Sequence, residues 1–398
     1  MTGGVLHVSY TGMLEPLGQS QVLAYQERIA GEREVHIVSY ERARDWHDRE
    51  RREQVALRMR KAGISWHPLR YHARPKLAAT AWDVACGVAA CSWLVRRHGL
   101  RIVHARSYVP GLIALATKRL TGARFLFDMR GFWADERVDG GLWRRDGALH
   151  ALGKKLERRL LLDADHVVAL TRAAVREMAT WDDVARGMPS TSVIPTCTDL
   201  ERFRPLPHLR DEGFVLGYAG SAGTWYLFDE VLRCFRLLLA SRVDARLLVL
   251  NRGEHALIRE RAAAAGVPPD AIELKDVDHH EIAAQMARMH AAVFFIRPAY
   301  SKRASAPTRL GELLGCGIPC LSNQGVGDMQ EILEGERVGV TVARFDDDAL
   351  RAGLSRLVEL AREPDIAERC AAAARRHFSL EHGVQQYRSI YERLDVAP

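Results

Sequence analysis

The sequence predicts an α/β chain of two doubly wound domains in tandem, and three observations carry that prediction. Short apolar or β-branched runs alternate with helical patterns through the first half, the rhythm of parallel strands joined by crossover helices. The rhythm breaks at PTCTDLERFRPLPHLRDEG, which holds three prolines and little periodicity and reads as a linker. It then restarts, so the two halves look like copies of one architecture. With 398 residues, 47% hydrophobic and 27% charged, the chain is long enough for two separate cores.

In order, strands are expected at Val5 to Tyr10, Val35 to Tyr40, Ser65 to Leu69, Ile102 to Ala105, Arg124 to Asp128, His166 to Leu170 and Thr191 to Ile194. Helices fall between them at about 19–30, 42–62, 77–98, 110–121, 144–162 and 172–180. After the linker, strands follow at Val215 to Tyr218, Arg246 to Leu250, Ile272 to Leu274, Ala292 to Ile296, Cys320 to Ser322 and Gly339 to Val342. Their helices lie near 225–240, 254–265, 279–290, 307–315, 328–334 and 346–361. The run Asp346, Asp347, Asp348 reads as an N-cap with first-turn acids, not as a metal site. The last segment, SLEHGVQQYRSIYERL, is an amphipathic helix able to cover either domain.

A net charge of +7 favours acidic partners such as phosphorylated sugars, anionic lipid or nucleic acid. The seven cysteines are scattered through apolar runs and read as reduced core residues of a cytosolic protein. The N-terminus enters a strand directly, without the pattern of an export signal. The apolar run Leu77 to Val95 contains Asp83, which would be costly in lipid, so a buried domain helix is expected there.

The chemistry concentrates between Arg297 and Leu333. An apolar strand leads into a polar loop with Lys302 and Arg303, then a helix beginning near Pro307. First-turn amides lack intrahelical partners and the dipole is positive there, so Ser305, Ala306, Pro307, Thr308 and Arg309 form a candidate phosphate cradle. Glu312, at i+4 from Thr308, shares its face and can accept from two vicinal hydroxyls, as on a ribose. A second glycine-to-helix turn follows the first strand, where Gly18 precedes a helix expected to start at Gln19 or Ser20. No Gly-x-Gly-x-x-Gly stands there, which removes the main support for hydride transfer.

LGQSQVLAY, FDMRGFWADE, TDLERFRP, GYAGSAGTWYLFDE and SKRASAPTRLGELLGCGIP together resemble retaining glycosyltransferases of family 4. The resemblance covers nearly the whole chain and implies the GT-B architecture, two facing Rossmann-like domains with a donor and acceptor cleft between them. It implies an acceptor-side domain at 1–203, a nucleotide-sugar-binding domain at 204–378, and a helix at about 379–398 that returns to the first domain. It also implies transfer from a nucleotide diphosphate sugar, UDP- or GDP-linked, with the anomeric configuration kept and no cofactor or metal.

Residue by residue, Glu312 matches the second glutamate of the family's Glu-x7-Glu motif, the ribose ligand. The first would fall at Ala304, and the usual arginine and lysine near the second domain's first strand are replaced by Ser221 and Thr224. Lys302 and Arg303 are therefore expected to take the cationic role on the leaving diphosphate. Where the family often has a histidine after the fifth strand, this chain has Asp128 and Arg130; Arg106 and Tyr108 follow the fourth strand and are further acceptor-side candidates. Lys275 to His280 and Asn251 to Glu254 are expected to frame the base.

Basic helices starting near Trp46 and Trp143 suggest an anionic membrane surface and a lipid-linked or glycan acceptor, hence a cytoplasmic protein peripheral to the membrane. A solvated helix face is the competing reading of those stretches. The competing functions are a nucleotide-sugar 2-epimerase-like isomerase and a non-catalytic nucleotide-sugar binder. Nucleic-acid binding accounts for the charge but for none of the motifs.

Overall fold

The computed structural model describes residues 3–277 and 281–396. The chain divides into two compact units, Met1–Pro195 with Glu381–Pro398, and Thr196–Leu380. The change of unit thus falls at 195/196, ahead of the 203/204 boundary expected from the linker.

The first unit is a seven-stranded sheet of β1 (Val5–Ser9), β2 (Val35–Glu41), β3 (Ile64–Arg70), β4 (Ile102–Arg106), β5 (Arg124–Asp128), β6 (His166–Ala169) and β7 (Thr191–Val193). Their order is β3-β2-β1-β4-β5-β6-β7, and every pairing is parallel. Strands β1, β2 and β4 are buried along their full length, as parallel strands covered by helices on both faces must be. The order reverses between β1 and β4, the switch point where open α/β sheets bind ligands at the carboxyl ends of strands. Register places Ser9 beside Arg106 and Arg106 beside Asp128, so the three side chains leave one face at one height.

The second unit repeats the plan with β8 (Val215–Ala219), β9 (Arg246–Leu250), β10 (Ile272–Lys275), β11 (Ala291–Val293), β12 (Cys320–Asn323) and β13 (Gly339–Val342). The order is β10-β9-β8-β11-β12-β13, again parallel, with its switch point between β8 and β11. Asp346 caps the helix that follows β13 by accepting from the Ala349 amide at 2.9 Å.

Helix Lys76–His98 differs from the buried helix expected of its apolar run. Asp83, Gly87, Cys91, Leu94 and Val95 are buried on one face, and Asp83 accepts from the Tyr10 hydroxyl (2.7 Å) and the His72 ring (2.6 Å). The opposite face is open, with Trp82 61% and Trp93 59% exposed. It is one helix among the described residues long and apolar enough to cross a membrane, and here one face packs on helix Tyr108–Thr121 and on Tyr40 of β2.

The expected helix at 19–30 begins earlier, at Pro16, and passes through a π-turn at Gln19–Leu23. Within that expected at 279–290, whose residues 279 and 280 lie outside the described residues, the helix is Ile282–Met286. Helices Trp133–Asp139 and Ile366–Phe378 were not anticipated. The closing helix, Leu380–Val396, lies on the first unit, where Asp395 pairs with Arg33 at 2.7 Å and the Tyr391 hydroxyl meets His104 Nδ1 at 2.7 Å. All seven cysteines are free thiols, six buried and Cys86 partly so.

Candidate functional site

In the second unit the loops leaving β8 and β11 are joined. The Leu227 amide donates to Phe295 O (2.9 Å) and the Arg297 amide to Trp225 O (2.9 Å), a short antiparallel contact across the switch point. This sets Trp225 over the 3-10 turn Tyr300–Ala304, and the Lys302 ammonium sits 3.6 Å from the centroid of its ring. The Lys302 ammonium thus makes a cation–π contact with the Trp225 face. Lys302 is 6% exposed, whereas Arg303 is exposed and leans on Tyr300, so the two cations do not share a face. Ala304 is buried, which leaves a methyl inside the turn where the family motif has a carboxylate.

The next helix starts at Thr308 with Pro307 as its cap, and Thr308 and Arg309 supply the first-turn amides. Ser305, Ala306 and Thr308 are half-buried beside them, and the Ala306 carbonyl accepts from Thr196 at 2.8 Å. Glu312 is 7% exposed and accepts from Arg309 Nη1 at 2.5 Å. The carboxylate expected to meet a ribose therefore already holds a guanidinium.

The glycine loop after β8 is organised by Glu254. Its carboxylate accepts from Ser221 Oγ (3.0 Å), the Ala222 amide (2.9 Å) and Asn251 Nδ2 (2.7 Å). Burial opposes ionisation there, but those donors outweigh it and lower the Glu254 pKa. Ser221 is thus a loop organiser, and Asn251 and Glu254, expected to frame the base, spend their side chains on the loop backbone. Lys275 bonds Glu273 and Gln285, each at 3.1 Å, and residues 278–280 lie outside the described residues.

In the first unit the corresponding strand ends hold a buried charged cluster. Asp128 lies 3.5 Å from Arg130 and 3.8 Å from His104 Nε2. Burial, the largest single influence, would raise its pKa, but Arg130, His104 and Arg106 together outweigh it and hold the carboxyl well below its usual range. Arg106 is 8% exposed and its Nε is buried without a hydrogen-bond partner; burial, then Arg130, lowers its pKa to about 10. Two guanidiniums thus face one carboxylate. His7 and His104, at neighbouring register positions, are buried with lowered pKa values and are neutral at pH 7.

Three expected residues, Gly18, Gln19 and Tyr108, serve the fold instead. Gly18 is helical, and a Cβ there would stand 2.0 Å from Gly12 O; the Gln19 amide already donates to Glu15 O at 3.1 Å. Because Pro16 starts the helix, neither is a phosphate-facing turn. The Tyr108 hydroxyl is shared between Gly131 O and the Glu157 carboxyl, and its ring stacks on Trp133. Glu41, unmarked in the sequence, orders the loop after β1 by accepting from the Met13 (2.7 Å) and Leu14 (3.2 Å) amides.

Strain marks the same strand ends. Ser107 (φ 75°) follows β4, Arg130 (φ 62°) follows β5 and Thr224 (φ 58°) follows β8. Non-glycine residues held in this region cost about 1–3 kcal/mol each and gather at functional sites.

Residues 20–196 match the family described as glycosyl transferase 4-like domain, and residues 252–389 match the family described as glycosyl transferase-like. Both halves are glycosyltransferase domains. The chain as a whole is a glycosyltransferase with the two-domain GT-B fold, and sugar transfer is its activity. Among solved structures it is similar to sucrose-phosphate synthase from Thermosynechococcus elongatus (TM-score 0.76, 15% identity, covering 99% of this chain and 100% of that one). It is also similar to a glycosyltransferase from Rickettsia africae (0.74, 14%, 100% of each) and to Anabaena HepE in complex with UDP (0.71, 13%, 98% and 100%). A search of the curated proteins found no match. The tryptophans expected on the glycosyltransferase's exposed surface are half-buried: Trp46 packs on Trp66 and Arg52, and Trp143 on Trp133.

Proposed function

We propose that this glycosyltransferase moves a hexosyl group from a UDP- or GDP-sugar to an acceptor hydroxyl, with retention and without a metal, in the synthesis of a surface polysaccharide or glycolipid. The observation that carries the reading is the juxtaposition of Trp225-held Lys302, the Thr308 helix start and Glu312 around one switch point. The structures of Anabaena HepE in complex with UDP and with UDP-glucose support a nucleotide-sugar donor for the fold.

In the proposed reaction the bond from the anomeric carbon to the phosphate oxygen breaks, and its electron pair stays on the phosphate. The acceptor oxygen bonds the same face of the sugar and passes its proton to that phosphate oxygen. Charge develops on the diphosphate, so fixed dipoles and cations supply the main stabilisation. Lys302, Arg303 and the amides of Thr308 and Arg309 take that role. A ribose entering at Glu312 displaces Arg309, which adds a guanidinium in the first turn of the same helix. On the first domain Arg130, with Arg106 behind it, holds an anionic group of the acceptor, and Asp128 fixes Arg130.

The reading keeps the protein at the cytoplasmic face of a membrane but moves the contact from Trp46 and Trp143 to helix Lys76–His98. Its exposed Leu77, Trp82 and Trp93, with Leu120 beside them and Arg96 and Arg97 at the end, suit an anionic lipid surface. A thermal-shift panel of UDP, GDP and their sugars tests the donor class. At a hundred times Kd the matching nucleotide adds about 2.7 kcal/mol, or roughly 5–10 °C for a unit of this size. No shift with any of them at millimolar concentration would sink the proposal.

A further inference from the structure

At the amino end of the first sheet, opposite the strand ends described above, four side chains from separate parts of the chain converge. Glu34 and His36 stand at the start of β2, His67 on β3, and His98 is the last residue of helix Lys76–His98. Glu34 Oε1 lies 2.9 Å from His36 Nε2 and 3.7 Å from His98 Nδ1. One ligand atom from each of Glu34, His36 and His98 lies within 4.8 Å of the other two. On its far side His36 Nδ1 is 3.0 Å from His67 Nε2, with the two rings stacked at 5°.

We propose that Glu34, His36 and His98 bind a divalent transition ion, Zn²⁺ by ligand type. A tetrahedral zinc with bonds of about 2.0–2.2 Å sets its ligand atoms roughly 3.3 Å apart, so the Glu34–His36 pair opens slightly from 2.9 Å and the Glu34–His98 pair closes slightly from 3.7 Å. Two imidazoles and one carboxylate are borderline ligands suited to zinc, and a single carboxylate on three protein ligands leaves a fourth position for water. Buried His36 also has the outer partner that a metal-bound imidazole requires, because its second nitrogen is fixed by His67. Glu34 and His98 are accessible, so the ion has an entry path. The position argues for a structural role. The ion ties the start of β2 to the end of helix Lys76–His98, at the opposite end of the sheet from Arg106, Asp128 and Arg130 of the same unit, and the inference does not rest on the donor assigned above.

The test uses full-length protein without a histidine tag, stripped with a chelator. Zn²⁺ is titrated by calorimetry and Co²⁺ by its visible d–d absorption. Trp93, whose ring centroid is 6.4 Å from that of His98, reports Co²⁺ through quenching of its emission. The wild type is expected to take one ion per chain with a Kd of micromolar or tighter and to melt higher with Zn²⁺. Glu34→Gln and His98→Asn each weaken binding at least 100-fold and lose the Zn²⁺-dependent shift, and His67→Phe weakens it 10- to 100-fold. Circular dichroism of each variant without metal verifies folding, and His98→Asn, at a helix end, is the safest of them. A wild-type Kd in the millimolar range, or a Kd unchanged by both ligand substitutions, overturns the site.

Discussion

Replacing Glu312 by glutamine tests the donor chemistry with little change of shape. In the free protein Glu312 is 7% exposed and paired to Arg309 within its own helix. On binding, the carboxylate accepts from two ribose hydroxyls, each charge-assisted bond being worth about 1.5–3 kcal/mol. A glutamine keeps one neutral acceptor worth about 1 kcal/mol, and it spares the break with Arg309, which for a partly exposed pair costs up to about 1 kcal/mol. The net loss is about 1–5 kcal/mol, a roughly 5- to 5,000-fold weaker Kd. Calorimetry with the nucleotide from the thermal-shift panel reads that number. The sharper readout is the 2′-deoxynucleotide, which wild type binds more weakly than the ribonucleotide by a margin that shrinks in Glu312→Gln. If the variant discriminates between them as strongly as wild type, Glu312 does not hold the ribose.

Three further outcomes follow from the same geometry. Lys302→Met should lower kcat at least 100-fold while leaving the fold intact, and Arg303→Ala should lower it less because that side chain is exposed; near-wild-type turnover in Lys302→Met would remove the lysine from the mechanism. Acid should weaken the first unit through His7 and His104, whose folded pKa values lie below the usual 6.5. The unfolded chain then binds more protons, so stability is full above about pH 6.5 and falls by up to about 1.4 kcal/mol per imidazole for each pH unit below it. Urea melts at pH 7.5 and 5.5 should show that slope, reduced in His104→Asn; equal slopes in both proteins would discount the pair. Flotation with anionic liposomes should recover the wild type but not Trp82→Ser/Trp93→Ser, and equal recovery would deny this face a membrane role.

Much of the fold was legible because parallel strands buried on both faces are continuous apolar runs: β5, β9 and β13 start and end where their residue patterns do. Helix Ile366–Phe378, which was not expected, is nonetheless clearly amphipathic, with Ile366, Cys370, Ala373, Ala374 and Phe378 on its buried face, so its pattern was legible as well. Site features set by neighbours in sequence, the Thr308 helix start and Glu312 one turn on, were also legible. Those set through space were not. Trp225 reaches Lys302 only because β8 and β11 are adjacent, and Gly18 is required by Gly12, not by a ligand. Glu34, His36, His67 and His98 form no linear motif, since they meet only when β2, β3 and the long helix pack. The exposed tryptophans were misjudged for the same reason: Trp46 and Trp143 look like helix starts in solvent until their aromatic partners are in place.

Retaining transfer from a nucleoside diphosphate sugar is decided by incubating the protein with the UDP- or GDP-sugar that raises its melting temperature and following the anomeric proton by NMR. Retention gives release of the free nucleoside diphosphate and a new glycosidic or hydrolytic product that first appears with the donor's own anomeric configuration. A product of inverted configuration would contradict retention, and a stable donor in the presence of every offered acceptor would contradict the transfer itself.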